Sequence, residues 1–129
     1  MSMYEEWKKL VAERAAIPIE LNWDADDVRL REVDLLLSDV PEALRVMETC
    51  FDDDDVLWLS EILMDVVKRT RDRTFIDMCS RLLDEHPEVT EDYKLRGYVE
   101  KAERDLYYYR QSQAEKRRNS PRHAEGSAE

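Results

Sequence analysis

Residues 52–70 read DDDDVLWLSEILMDVVKRT, and their spacing decides the fold class. Val56, Leu59, Leu63, Val66 and Val67 recur at the three-to-four-residue step of a helix with one apolar face. Asp53 or Asp54 is expected to cap its start, because an aspartate side chain accepts from the unpaired amides of a first helical turn. The same pattern continues on both sides. Downstream, a helix after Asp72 carries Phe75, Met78, Cys79, Leu82 and Leu83, and His86-Pro87 ends it because the residue before proline avoids helical dihedrals. Upstream, Asp39 is expected to cap a helix with Pro41 in its first turn and Leu44, Met47 and Phe51 as its stripe. The connections between these three helices are very short, which makes neighbours antiparallel.

Three more helices complete the reading. Ser2 and Glu5 form a capping box for a helix bearing Tyr4, Trp7, Leu10 and Val11. Ile17-Pro18-Ile19 reads as an extended connector, after which Asp24 caps a helix with Val28, Leu30, Val33, Leu36 and Leu37. Thr90 is expected to cap the last and longest helix, with Leu95, Tyr98, Val99, Ala102, Leu106 and Tyr109 at helical spacing. Beyond Arg110 no apolar period survives. Two glycines and four prolines in 129 residues suit helical hairpins better than sheets. The expectation is an all-α chain of about six helices in antiparallel hairpins, arranged as a small α-solenoid or an irregular bundle. Residues 1–110 form one acidic domain and 111–129 a mobile polar tail. Cys50 and Cys79 read as isolated thiols in a reducing, cytoplasmic setting, with a disulfide between them as the alternative. No membrane span or secretory signal is expected.

Charge is the strongest functional signal. From Asp24 to Asp55 there are twelve acids and three bases, a net of minus nine against minus eleven for the whole chain. Such a surface repels nucleic acid and anionic membrane and attracts basic partners. The candidate partner-binding residues are Trp23, Asp24, Asp26, Asp27, Asp52, Asp53, Asp54, Asp55, Trp58, Glu61 and Asp65. Capping explains one or two acids at a helix start, but a run of four repels itself, so Asp52 to Asp55 read either as caps or as a partner-facing knob. A calcium loop is excluded at both clusters, since its sixth and twelfth positions hold Leu57 and Leu63, or Arg29 and Leu35, where glycine and glutamate are needed. Trp23 reads as a staple onto its helix or as an aromatic anchor beside acids. Trp58 lies off the apolar stripe, toward Glu61 and Asp65; either its helix is buried nearly all round or the ring is displayed.

No catalytic constellation can be assembled. The only histidines are His86, beside a proline, and His123, in the tail. Zinc spacing, phosphate loops and dinucleotide fingerprints are missing, so no enzyme activity, metal or cofactor is expected. Tyr107-Tyr108-Tyr109 cannot all face inward, because successive helical residues diverge by about 100 degrees.

Size, acidity and the hairpins Pro41–Arg71 and Asp53–Glu85 give the chain a resemblance to short HEAT-like helical stacks. In kind it resembles the immunity proteins of bacterial toxin systems, including contact-dependent inhibition. That resemblance implies a cytoplasmic inhibitor that covers the active site of a cognate toxin, commonly a basic nuclease. The competing expectation is a helical adaptor whose acidic face only keeps it soluble. If the acidic clusters serve one partner, the starts of the second and fourth helices should lie near one another.

Overall fold

The computed structural model describes residues 1–18, 20–21 and 25–119. Among them are seven helices and no strand: α1 (Met3–Ala15), α2 (Ala25–Ser38), α3 (Val40–Cys50), α4 (Asp53–Thr70), α5 (Thr74–Glu85), α6 (Pro87–Asp92) and α7 (Arg96–Arg118). The chain is all-α, as its periodicity requires. Ser2 and Glu5 form the expected capping box at α1, and Asp39 accepts from the Glu42 amide at α3. At α5 the Asp72 carboxylate accepts from the Thr74 amide at 3.0 Å. The cap of α4 is Asp52, one or two residues earlier than expected. It forms a capping box with Asp55, each side chain accepting from the other's backbone amide.

The helices lie in two layers. α2, α4 and α7 are neighbours in one layer, and α1, α3 and α5 in the other. Directions follow from side-chain pairs. Glu13 meets Arg31, and Glu6 and Lys9 share a groove with Leu35 and Ser38, so α1 and α2 are antiparallel. Arg73 pairs with Glu103 and Arg96 with Asp84, so α5 and α7 are antiparallel. Within the first layer α2 runs with α4: Asp26 faces Glu61 and Asp65, and eight residues along both helices Asp34 pairs with Arg69. α7 also runs with α4, since Tyr98 faces Glu61 while Asp105 pairs with Arg71.

α4 is the central element and packs against α1, α2, α5, α6 and α7. Val56, Ile62, Leu63, Val66 and Val67 have no exposed surface. Leu57 and Trp58, off the main stripe, are half-buried against the core. Trp7 stacks on Phe51 with ring centroids 5.2 Å apart and is itself wholly buried. Both cysteines are free, Cys79 buried and Cys50 half-buried.

The expected last helix is two helices, and Thr90 is not its cap. Thr90 lies buried inside α6 and donates to the carbonyls of Leu83 and His86. The break follows at Lys94, which adopts a left-handed conformation (φ 52°). The Leu95 amide donates to the Thr90 carbonyl and the Lys94 amide to that of Glu91, the paired bonds of a Schellman stop. Glycine usually occupies this left-handed position; here it is lysine, so nothing in the sequence flagged the stop. Buried Leu95 supplies the apolar contact that normally accompanies it.

α7 also runs eight residues past Arg110, into the stretch expected to be a mobile tail. Gln111 to Arg118 bury no side chain fully. They are mostly strong helix formers, and Lys116, Arg117 and Arg118 complement the negative end of the helix.

Leu63 has no exposed surface in the element that every layer contacts. Leu63→Ala is expected to cost about 2–5 kcal/mol in urea or guanidinium unfolding. A cost below about 0.5 kcal/mol would place α4 outside the core.

Candidate functional site

One row of α4 escapes burial. Residues three and four apart share a helix face, so Asp54, Trp58, Glu61 and Asp65 stand in line. Asp54 and Asp65 are exposed, and Trp58 and Glu61 half-buried. Arg14 of α1 determines the setting of the middle pair. Its guanidinium lies 4.5 Å from the Trp58 ring centroid, its Nη2 donates to the Trp58 carbonyl at 3.0 Å, and its Nη1 stands 3.8 Å from Glu61. Trp58 is therefore neither a core residue nor a free ring.

The four consecutive aspartates do not share one environment. Asp52 is largely exposed and reaches Lys8 at 3.5 Å. Asp53 is exposed and hydrogen-bonds His86 Nδ1 at 2.6 Å. Asp54 points to solvent. Asp55 is wholly buried. Its carboxylate accepts from Tyr4 Oη at 2.7 Å, Trp7 Nε1 at 3.1 Å, Lys8 Nζ at 3.0 Å and the Asp52 amide at 3.1 Å. Burial and the bond to Asp55 push the Tyr4 hydroxyl up to about 12. Asp55 is thus unavailable to a partner and joins α1 to α4, which corrects the expectation of four surface acids; Asp52, Asp53 and Asp54 are exposed.

The second acidic cluster lies further along. Trp23 and Asp24 are outside the described residues. Asp26 and Asp27 are exposed on the first turn of α2 and pair with Arg29 at 2.8 Å and Arg31 at 3.2 Å. The starts of α2 and α4 point the same way, as the acidic-face expectation needs. They are not level: Asp26 faces Glu61, eight residues past Asp53, or about 12 Å along α4 at 1.5 Å per residue. There Asp26, Arg29, Glu61, Asp65 and Tyr98 line a cleft of about 450 Å³ between α2, α4 and α7. An adjoining section of about 440 Å³ is walled by Leu30, Val33, Lys68 and Arg69.

Behind the cleft is a buried ion pair. Arg14 Nε stands 3.2 Å from Glu32 Oε1, with the side chains 2% and 0% exposed. Neither Glu32 oxygen has a hydrogen-bond donor in good geometry. Burial pushes the Glu32 carboxyl up to about 7, against the pull of Arg14 and Arg29, and lowers Arg14.

Several of these residues escaped sequence reasoning. Nothing in the sequence marked Arg14 and Glu32 as a pair, and Tyr98 read as one more stripe position. Asp84, Glu85, Glu88, Glu91 and Asp92 add a further acidic patch around α6, placed beside the start of α4 by the His86–Asp53 bond. A charge count over 84–92, five acids with no lysine or arginine, would have found it. Tyr107 and Tyr108 are exposed, while Tyr109 is half-buried beneath Arg71 at 4.0 Å.

Among the described residues no three His, Cys, Asp or Glu side chains converge as a metal site. No helix there is long and apolar enough to cross a membrane. No protein-family model, curated protein or solved structure matches this chain.

Two outcomes test the interior polar groups. Asp55→Asn keeps the cap but turns an amide toward three side-chain donors. It is expected to lose about 3 kcal/mol in chemical unfolding, within the range for a broken buried charge pair. For the ion pair, Arg14→Met alone should cost about 3–5 kcal/mol, and Arg14→Met with Glu32→Leu much less. Folded Glu32 holds its proton to about pH 7, whereas an unfolded glutamate releases it near 4.3. Its stabilisation is present in acid and is lost as pH rises through 7. The stability of the natural protein relative to the double variant should therefore fall between pH 5 and pH 8; a flat difference would contradict the shift.

Proposed function

We propose that this protein is a non-enzymatic inhibitor that binds a basic protein partner, acting as an immunity protein that covers the active site of a cognate nuclease toxin. The observation that carries this reading is the row on the open face of α4. The central helix of the fold leaves one face uncovered, and that face bears Asp54, Glu61 and Asp65 around the half-buried Trp58. Asp52 and Asp53 extend it at one end, and Asp26 joins it from α2. An aromatic ring among carboxylates suits a partner that is positively charged and partly apolar at its contact. A nuclease presents such a surface, because it must hold phosphates.

A second reading, an adaptor whose acids only confer solubility, is favoured by the internal pairing. Asp27–Arg31, Asp34–Arg69, Glu42–Arg45 and Glu48–Arg81 neutralise much of the acidic band within the chain itself. In the α4 row Glu61 has only Arg14 at 3.8 Å, while Asp54 and Asp65 stand exposed beside the half-buried Trp58, which is why the inhibitor reading is preferred.

The test begins with isolation of the partner by the tagged protein at low salt, followed by assay of its nuclease activity with and without the tagged protein. Inhibition at stoichiometric protein is expected. Asp53→Asn with Asp54→Asn leaves Asp55 and the cap intact, so folding should be unchanged. Association should slow and lose salt dependence, because steering acts mainly on the on-rate. Unchanged on-rates at two salt concentrations, or a partner whose activity persists at saturation, would overturn the reading.

A further inference from the structure

We propose that the cleft between α2, α4 and α7 receives a single arginine side chain from the partner, with an apolar neighbour of that arginine seated in the adjoining section. This deepens the basic-partner reading and rests on it. The cleft, at about 450 Å³, falls within the size of ordinary ligand sites. Three carboxylates and one guanidinium line it, and Asp26 is already paired with Arg29. Glu61 and Asp65 are left facing the space. One turn apart on α4, with Cβ atoms about 6 Å apart, they present two carboxylates that a planar guanidinium can bridge.

Glu61 is held from behind by Arg14, which is itself fixed by Glu32 and the Trp58 carbonyl. Tyr98, half-buried, forms another wall, and its ring already draws Lys101 Nζ to 5.8 Å. A ring of this kind attracts a flat cation. Lysine fits less well, because its compact ammonium is strongly hydrated and cannot bridge two carboxylates in one plane.

The adjoining section limits what may flank the arginine. Its lining has three bases, Arg29, Lys68 and Arg69, against two acids, Asp26 and Asp65, so a second positive charge gains little there. Val33 is buried at its floor, whereas Leu30 is 54% exposed at its edge, an apolar side chain without cover. An apolar residue next to the arginine would cover it. The site thus selects one arginine with an apolar neighbour and disfavours a polybasic run.

The experiment is an amide NMR titration of the intact protein with N-acetyl-arginine methylamide and, separately, with its lysine counterpart. The arginine probe is expected to give saturating shifts at Asp26, Glu61, Asp65 and Tyr98, and the lysine probe to bind severalfold more weakly. Asp65→Asn should weaken the arginine probe about tenfold, the equivalent of one charge-assisted hydrogen bond. Tyr98→Phe should retain binding and Tyr98→Leu lose it, with unchanged amide spectra elsewhere reporting intact folds. Equal affinity for the two probes overturns the inference, as do shifts spread over Asp53, Asp54 and α6, or indifference to Asp65→Asn. Each of those results leaves the basic-partner reading standing if Asp53→Asn with Asp54→Asn still slows partner association. Salt-independent association would remove that reading by itself.

Discussion

Burying a carboxylate away from water costs far less when its oxygens are hydrogen-bonded, and at Asp55 four donors meet that need and shape the fold. Three of its four donors, Tyr4, Trp7 and Lys8, come from a single stretch of α1. The fourth comes from the capping box at the start of α4. The first turns of the chain's first helix are thereby tied to the start of its central one. Trp7 meets the same constraint twice, since its ring stacks on Phe51 in the core while its Nε1 serves Asp55. The far end of α1 is held by Arg14, which touches Glu32 on α2 and Trp58 and Glu61 on α4. An apolar pair of similar volume would hold α1 about as well.

This scaffold determines which charges reach the surface. The acidic band divides into three parts. Some acids are consumed inside the fold, such as Asp55 and Glu32. Others are matched on the surface by arginines three or four residues away or on a neighbouring helix, such as Asp27, Asp34, Glu42 and Glu48. Asp52, Asp53 and Asp54 remain exposed at the start of α4, next to Glu61 and Asp65 of its open face. Exposed pairs of the second kind contribute little stability, but they quiet the field of most of the surface. The face that stays negative is the one next to a half-buried tryptophan and a cleft. Parallel packing of α2, α4 and α7 produces that cleft, because their first turns stagger along α4 rather than meeting at one level.

The sequence by itself determined the helical class, most helix boundaries and most of the core. Those follow from local physics: a 3.6-residue apolar period, aspartate and serine caps, and a proline stop after His86. Leu63, Val66, Phe75 and Leu83 were legible as core for that reason, and all are buried. The stop after α6 was not legible, since Lys94 holds a conformation that local preference assigns to glycine. Only the tertiary structure decided the fates of individual charges. Asp53, Asp54 and Asp55 are identical in composition, yet one meets His86, one meets water and one is enclosed by α1. Arg14 and Glu32, eighteen residues apart, become a buried pair through the antiparallel crossing of α1 and α2. Tyr98 joins Glu61 only because α7 lies beside α4. The physical reason is range. Helix formation depends on neighbours within a turn, whereas burial of a charge and assembly of a cleft depend on residues that are distant in the chain.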